Sequence, residues 1–124
     1  MLDWESRAHL YNLSARIMRN ILIDHSRKRK RAKRGGEAVT LSLGMGRSNS
    51  ANQLDVLLVD EALERFSTEY PRQAHVVELR FFGGLSVIET CEGLRGAGHE
   101  TSPRTVERDW MFAKAWLQNA LTPR

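Results

Sequence analysis

Two groups of side chains in this sequence have the types and spacing that bind nucleic acid. One is the run from Arg27 to Arg34, in which seven of eight residues are Lys or Arg. The other begins at Ser102 and carries two arginines four residues apart, Arg104 and Arg108. Cations and hydroxyls bind phosphate oxygens, and the forked arginine side chain matches the O6 and N7 atoms of guanine. These groups therefore predict recognition of a polyanion rather than catalysis.

Residues that would support catalysis or metal binding are few. Cys91 is the only cysteine, which excludes an intrachain disulfide, a cysteine zinc cluster and a redox pair. The four histidines lack the spacing of a zinc site, and Gly96 to Gly98 lacks the preceding strand and third glycine of a dinucleotide motif. We expect no catalytic residue, metal, cofactor or small-molecule substrate, and so no enzyme. A Cys–His nucleophile is the alternative that the sequence leaves open.

The chain has 124 residues, enough for one ordinary domain or two small ones, and its charge is unevenly distributed. The net charge is +4, but residues 1–37 carry +6 and residues 38–124 carry −2. This asymmetry indicates a polyanionic partner for the first part. The longest aliphatic run, Val56 to Val59, is too short to cross a membrane, and the N-terminus lacks the apolar core of a signal peptide. We expect a cytoplasmic protein without membrane contact.

The basic region is predicted to be one helix from residue 8 to about residue 33. Apolar residues recur along it at three- and four-residue spacing: Leu10, Leu13, Ile17 and Ile21, with Leu22 beside them. A single amphipathic helix is marginal alone, so we expect it to pack loosely, to dock on the C-terminal module or to self-associate. Residues 35–54, rich in Gly, Ser and Asn, are predicted to be a flexible linker whose ends lie roughly 25 Å apart, or about 65 Å when stretched.

Capping signals divide the remaining residues into four helices. The first covers about 55–67, the second begins at Pro71 and ends at Gly83-Gly84, a capping box at Ser86 opens the third, and Ser102 caps the fourth. The residues predicted to face inward are Val59, Ala62, Leu63, Phe66, Ala74, Val77, Phe81, Ile88, Cys91, Leu94, Val106, Trp110, Ala113, Leu117 and Leu121. No segment is a convincing strand, so the fold class is all-α.

The last two helices have the order of a helix-turn-helix, whose second helix enters the major groove of DNA by its N-terminus. Ser102 and Thr105 would donate hydrogen bonds to phosphates, Arg104 and Arg108 would reach base edges, and Glu107 would accept from a cytosine amino group. The alternative is a capped helix in a small bundle with both arginines merely solvated. The run of cations has the same alternative, since most charge runs are solvated surface.

Several stretches of the chain closely resemble bacterial extracytoplasmic-function (ECF) RNA polymerase sigma factors, of the sigma-70 family. The C-terminal promoter-binding domain of that family is matched by residues 77–86 (VELRFFGGLS), 89–90, 102–110 (SPRTVERDW) and 113–117 (AKAWL). The last helix of the family's other conserved domain and the start of its linker are matched by residues 15–25 and 33–36. The strings agree in order and spacing over nearly the whole chain.

The resemblance implies a two-module protein that binds promoter DNA and core RNA polymerase and takes part in transcription initiation. Residues 1–34 would be a remnant of sigma region 2, residues 35–54 the linker along polymerase, and residues 55–124 a region 4-like helix-turn-helix domain that binds the upstream (−35) element. The upstream element would be bound through Ser102, Arg104, Thr105, Glu107 and Arg108. The DNA backbone near the downstream element would be bound through Arg16, Arg19, Asn20, Arg27, Lys28, Arg29, Lys30, Arg31, Lys33 and Arg34.

The sequence departs from the family pattern in two places. The N-terminal domain lacks its earlier helices, which carry the main polymerase contact in the family. The turn of the helix-turn-helix has seven residues, 95–101, where the family has about two, and this allows a bulged loop or a looser angle between the helices. The alternatives are therefore a truncated, stand-alone helix-turn-helix regulator, or an interaction module that binds an anti-sigma factor and does not activate polymerase.

Overall fold

The computed structural model describes residues 3–32, 40–42 and 53–122. Its helices are α1 (Trp4–Ala32), α2 (Val56–Glu69), α3 (Pro71–Val77), α4 (Val87–Gly96) and α5 (Pro103–Leu121). Helix α3 continues directly into one π-helical turn, Glu78–Phe82. The all-α prediction is confirmed, and each predicted helix is present with ends that differ by a few residues.

Two short strands add a feature that the sequence did not predict. Strand β1 (Thr40–Ser42) pairs antiparallel with β2 (Gln53–Asp55), with Leu41 opposite Leu54. A lone strand of this length would be unstable, and it is the second segment that supplies a partner. Both strands lie inside the predicted linker or at its end, and the linker residues other than these lie outside the described part of the chain.

Helices α2 to α5 enclose the main hydrophobic core. Its largest fully buried side chains are Phe66, Leu63, Leu79, Leu94 and Leu117. Most residues predicted to face inward are buried, but the prediction for Ile88 is wrong, since this side chain is 59% exposed. Helix α4 turns Thr90, Cys91 and Leu94 toward the core, and Ile88 lies on a different side of the helix.

Helix α1 docks on α2, α4 and the π-helical turn, which confirms the expectation that it docks on the C-terminal module. The docked side is not the predicted apolar one, because the buried residues are Ala8, Ala15, Ile23 and Ser26. Leu10, Leu13, Ile17 and Ile21 lie on the opposite side and are between 43% and 54% exposed. The periodicity correctly identified an apolar face, but this face does not pack on the rest of the described chain.

Glycines explain why the small-residue side of α1 docks. A Cβ atom on Gly96 would lie 2.4 Å from the Cβ of Ala8, and one on Gly83 would lie 2.9 Å from the Cβ of Ala15. Both distances are shorter than real Cβ contacts. The backbone of α1 can therefore approach residues 83 and 96 this closely only because both are glycines. Close packing of backbones gives dispersion contacts without large side chains.

Polar contacts fix the position of α1 along the domain. The Arg7 guanidinium binds Glu92 on α4 at 3.0 Å, and Arg19 binds both Asp60 on α2 (2.6 Å) and Glu78 in the π-helical turn (3.1 Å). Near the C-terminal end of α1, the ammonium group of Lys30 lies 3.8 Å from the carboxylate of Asp55.

Among the described helices, none combines the length and the apolar character required to span a bilayer.

Candidate nucleic-acid interface

The first helix of the helix-turn-helix, α4, begins with the predicted capping box. The Ser86 side chain accepts from the backbone N–H of Glu89 at 3.1 Å, and the Glu89 carboxylate accepts from the N–H of Ser86 at 2.8 Å. Gly84, with a φ of +65°, makes the turn that precedes it. These reciprocal bonds satisfy two N–H groups that a helix start leaves free, and they fix where α4 begins.

The turn between α4 and α5 is ordered by its own hydrogen bonds. The N–H of His99 bonds to the carbonyl of Leu94 at 3.0 Å and the N–H of Gly98 to that of Arg95 at 3.1 Å, which together form a Schellman motif with Gly98 at φ +92°. The Arg95 guanidinium then donates to the carbonyl of Thr101 through Nε (3.2 Å) and Nη2 (3.0 Å). Gly98 thus ends α4, and the Arg95 side chain spans the loop from α4 to Thr101, the residue before the cap of α5.

The start of α5 is built as the sequence predicts. Pro103 is its first residue, and the Ser102 hydroxyl caps it by accepting from the N–H of Thr105 at 3.2 Å. The same hydroxyl donates to the Thr105 hydroxyl at 3.1 Å. The Ser102 hydroxyl therefore takes part in two hydrogen bonds within the first turn of α5.

Three charged residues of the first two turns of α5 are exposed: Arg104, Glu107 and Arg108. The two arginines are four residues apart, so their side chains lie on neighbouring turns of one side of the helix. The opposite side buries Val106 and Trp110. This is the relation that the sequence predicted for the recognition helix, with the charged side outward and the apolar side against the core.

The buried side of α5 is held by charged partners as well as by apolar packing. Trp110 lies under two cations, with the Arg80 guanidinium 5.3 Å and the Lys114 ammonium 5.5 Å from its ring centroid. Burial lowers the pKa of Arg80, and the nearby carboxylate of Glu107 acts in the opposite direction. The Nη1 atom of Arg80 also donates to the carbonyl of Leu85 at 3.0 Å, which links the π-helical turn to the start of α4.

The side chains of the N-terminal segment that were predicted to contact the DNA backbone differ in their surroundings. Arg16, Asn20 and Arg27 are exposed, and so is Lys28, which pairs with Asp24 on the same helix at 3.3 Å. Arg29 is half-buried, and Lys30 faces Asp55. For Arg31 the structure describes only its place in the helix, and Lys33 and Arg34 lie outside the described residues.

Arg19 differs from the other cations because its contacts are within the protein. It bonds to Asp60 and Glu78, and its guanidinium lies 5.3 Å from the centroid of the Phe82 ring. Its side chain is 19% exposed. The structure therefore brings Arg19 into the contact between α1 and the C-terminal domain, and does not bring it together with Arg104 and Arg108.

Comparison with protein families decides the assignment, because the family model described as ECF sigma factor matches residues 1–123. The chain belongs to the ECF sigma factor family. Membership implies promoter-specific transcription initiation with RNA polymerase and binding of promoter DNA. Sigma factors are in general DNA-binding regulators and not enzymes. Comparison with curated proteins and with solved structures gave no significant match.

Three residues that organise this sigma-factor chain were not singled out from its sequence. Asn12 donates to the carbonyls of Ala8 (3.0 Å) and Gly93 (2.9 Å), and its Oδ1 accepts from Nε2 of His75 at 2.7 Å. The carboxylate of Asp109, which is buried, binds Arg72 at 2.7 and 3.1 Å and raises the pKa of that guanidinium.

A sequence signal exists for Asp109 only. It follows Val106 by three residues on the apolar side of α5, where a carboxylate needs a cationic partner. Asn12 and His75 are 63 residues apart and carry no pattern that connects them. Within the described ranges, no group of His, Cys, Asp and Glu residues is arranged to hold a metal ion.

Proposed function

We propose that the α4–α5 helix-turn-helix binds the upstream (−35) promoter element and that the protein thereby directs core RNA polymerase to start transcription. The observation that carries this proposal is the position of Arg104 and Arg108, exposed on one side of α5 directly after its capped N-terminus. A recognition helix needs that arrangement, because its N-terminal residues meet the base edges of the major groove.

The residues at the proposed interface have different tasks. Arg104 and Arg108 bind guanine edges, and Glu107 accepts from a cytosine amino group. Thr105 donates to a phosphate, aided by the positive N-terminal end of the helix. Ser102 contributes mainly as the cap that starts α5, since its hydroxyl already accepts from the N–H of Thr105.

The second proposed contact is made by polar and cationic residues of the N-terminal segment with the DNA backbone near the downstream element. Arg16, Asn20 and the run from Arg27 to Arg34 belong to it, in the module formed by residues 1–34. These contacts add affinity without sequence preference, because phosphates are the same at every base pair. We leave Arg19 out of the proposed contacts, since its guanidinium is bound by two carboxylates.

The test is selection of duplexes from a random DNA library by the full chain with core polymerase, followed by transcription from the selected sequence. We expect one upstream motif, which is lost when Arg104 and Arg108 are both replaced by alanine. The exposed Arg65 on α2 provides the matched control, and Arg65→Ala should select the same motif. Selection of no motif, or of an unchanged motif by the double variant, would contradict the proposal.

A second candidate is a DNA-binding regulator, or a module that binds an anti-sigma factor, without polymerase activation. The docked state of α1 favours it, because the ion pairs of Arg7 and Arg19 hold α1 on the same domain that carries α5. The first candidate requires the two modules to occupy separate promoter elements, whereas these ion pairs hold them together. Co-sedimentation with core polymerase separates the candidates, and an anti-sigma partner would still bind after the loss of Arg104 and Arg108.

A further inference from the structure

A buried ion pair attaches helix α5 to the first turn of α3. The side chain of Asp109 is only 5% exposed, and its two carboxylate oxygens accept from Arg72, Oδ2 from Nε at 2.7 Å and Oδ1 from Nη2 at 3.1 Å. The side-chain amide of Gln73 donates to the same Oδ1 at 3.3 Å. Because α3 begins at Pro71, both partners lie in one short segment. This segment therefore holds the Asp109 carboxylate by both of its oxygens.

The ion pair adds direction to the packing of α5. The same helix already buries Val106 and Trp110, and replacing a buried ion pair by apolar side chains of similar size often leaves stability unchanged. Apolar contacts have no preferred direction, so they tolerate small rotations and shifts of a helix. A bidentate pair of arginine and carboxylate, in contrast, fixes both distance and orientation. The Asp109–Arg72 pair is therefore better suited to orient α5 than to stabilise the fold.

The rotation of α5 about its axis determines where its exposed arginines point. Asp109 directly follows Arg108 in the sequence. A side-chain tip about 5–6 Å from a helix axis moves by about 2 Å when the helix rotates by about 20°. A hydrogen bond tolerates a change of only about 0.5 Å in distance. Such a rotation would break a contact of Arg104 or Arg108 with a base edge, whereas the attraction of the helix for phosphates would persist.

The loop before α5 fixes where the helix begins, but it does so through the backbone. Residues 97–102 connect α4 to α5, and Arg95 donates to the carbonyl of Thr101 within this connection. No side chain of α5 takes part in that bond. Asp109, in contrast, is a side chain of α5 itself, so its bonds to α3 resist rotation of the helix directly.

We propose that Asp109 and Arg72 are positioning residues that determine the DNA sequence preference of the helix-turn-helix. Their ion pair holds α5 at the rotation at which Arg104 and Arg108 meet base edges. This inference rests on the proposed promoter binding and deepens it, because it assigns part of the specificity to a contact between α3 and α5 inside the protein.

A double variant in which Arg72→Met is combined with Asp109→Leu removes the pair and leaves apolar side chains in its place. The matched control combines Arg7→Met with Glu92→Leu. That pair is also bidentate, at 3.0 and 3.2 Å, but it joins α1 to α4. Each double variant loses one positive and one negative charge, so the net charge of the protein, and with it the general attraction for DNA, stays the same.

Fluorescence anisotropy of the full chain measures two affinities, one for the duplex that the unaltered protein selects from a random library and one for a shuffled duplex. For the Arg72 and Asp109 variant we expect the ratio of these affinities to fall about tenfold, as for the loss of one bidentate arginine–guanine contact, with the affinity for the shuffled duplex unchanged. The control should keep the ratio. Arg72→Lys, which keeps the cation without the planar fork, should also lower the ratio.

The outcomes separate positioning from a merely structural role. A partly unfolded variant would lose affinity for both duplexes equally, and thermal unfolding followed by circular dichroism identifies this case, in which Arg72→Lys decides. An unchanged ratio in folded variants, or an equal fall of the ratio in the control, would overturn the positioning role and leave the proposed promoter binding intact. A ratio of one for the unaltered protein would instead contradict both.

Discussion

Arg19 of α1 donates to one carboxylate oxygen of Asp60 on α2 from two nitrogens, Nε at 2.8 Å and Nη2 at 2.6 Å. A third nitrogen, Nη1, bonds to Glu78 in the π-helical turn at 3.1 Å. One guanidinium therefore joins three elements that are far apart in the sequence. Its removal would leave two carboxylates facing each other without a cation between them.

Arg19→Ala should lower the free energy of unfolding by about 1–3 kcal/mol, because the partly buried carboxylates would then have no cationic partner. Urea denaturation followed by circular dichroism measures this change. Arg16, one turn earlier and exposed, is the control, and Arg16→Ala should change stability by less than about 0.5 kcal/mol. Equal stability of the two variants would contradict a structural role for Arg19.

Gly96→Ala should destabilise the protein by about 1–3 kcal/mol, because the new Cβ would stand 2.4 Å from the Cβ of Ala8. Ala8→Gly should cost about 1 kcal/mol, from lower helix propensity. The double variant should lose less than the sum of the two single changes, since glycine at residue 8 makes room for the new methyl group. Strict additivity in this double-mutant cycle would show that the two residues are not in contact.

The protein should lose stability as the pH falls below about 6.5. Burial lowers the pKa of His75 from its usual 6.5, with further lowering by His99 and Arg16 and an opposing effect of Glu78. The unfolded chain then binds the proton more readily, so stability is complete above about pH 6.5 and decreases as the pH falls through the pKa of the folded protein. Protonation also places a charge beside His99, whose ring centroid lies 5.7 Å away.

Unfolding experiments between pH 5 and pH 8 check this dependence, by the linkage between proton binding and stability. His75→Gln keeps a donor for Asn12 and should flatten the profile in that range. His25→Gln, at an exposed position on α1, should not change it. The Arg7–Glu92 ion pair is lost only at lower pH, outside this range, because the hydrogen bond from Arg7 lowers the pKa of Glu92 below its usual 4.5.

Arg104→Ala or Arg108→Ala should each cost about 1–3 kcal/mol of specific DNA binding and relax the preference at one base position. Neutralising Arg27, Lys28 and Arg31 should leave sequence preference unchanged and should reduce the slope of log affinity against log salt by about 0.9 for each phosphate that the protein no longer neutralises. Fluorescence anisotropy at several salt concentrations distinguishes the two effects. If both sets of changes weaken all sequences equally, Arg104 and Arg108 do not contact bases.

The starts of the helices were predictable because they depend on local chemistry. Ser86 and Ser102 cap their helices with groups three residues away, and Pro71 and Pro103 begin helices in which a missing N–H costs nothing. The exposed side of α5 was predictable for a similar reason, since its burial pattern follows the helical period.

The side on which α1 docks was not predictable from the same rule. Periodicity ranks side chains by size and hydrophobicity, and it selected Leu10 and Ile17, which lie outward. The docked side depends on Ala8 meeting Gly96, a match of two small residues 88 positions apart, for which a single sequence has no signal. The contacts of Arg19 with Asp60 and Glu78 were not predictable either, because these partners are distant in the chain.

The contact between α1 and α4 through glycine and alanine has a consequence for how α1 would leave the domain. The ion pairs of Arg7 and Arg19 hold this contact together with the small side chains. Ionic strength, which weakens these pairs, therefore favours the opening of the contact, and the same change in salt loosens any contact of the basic segment with DNA.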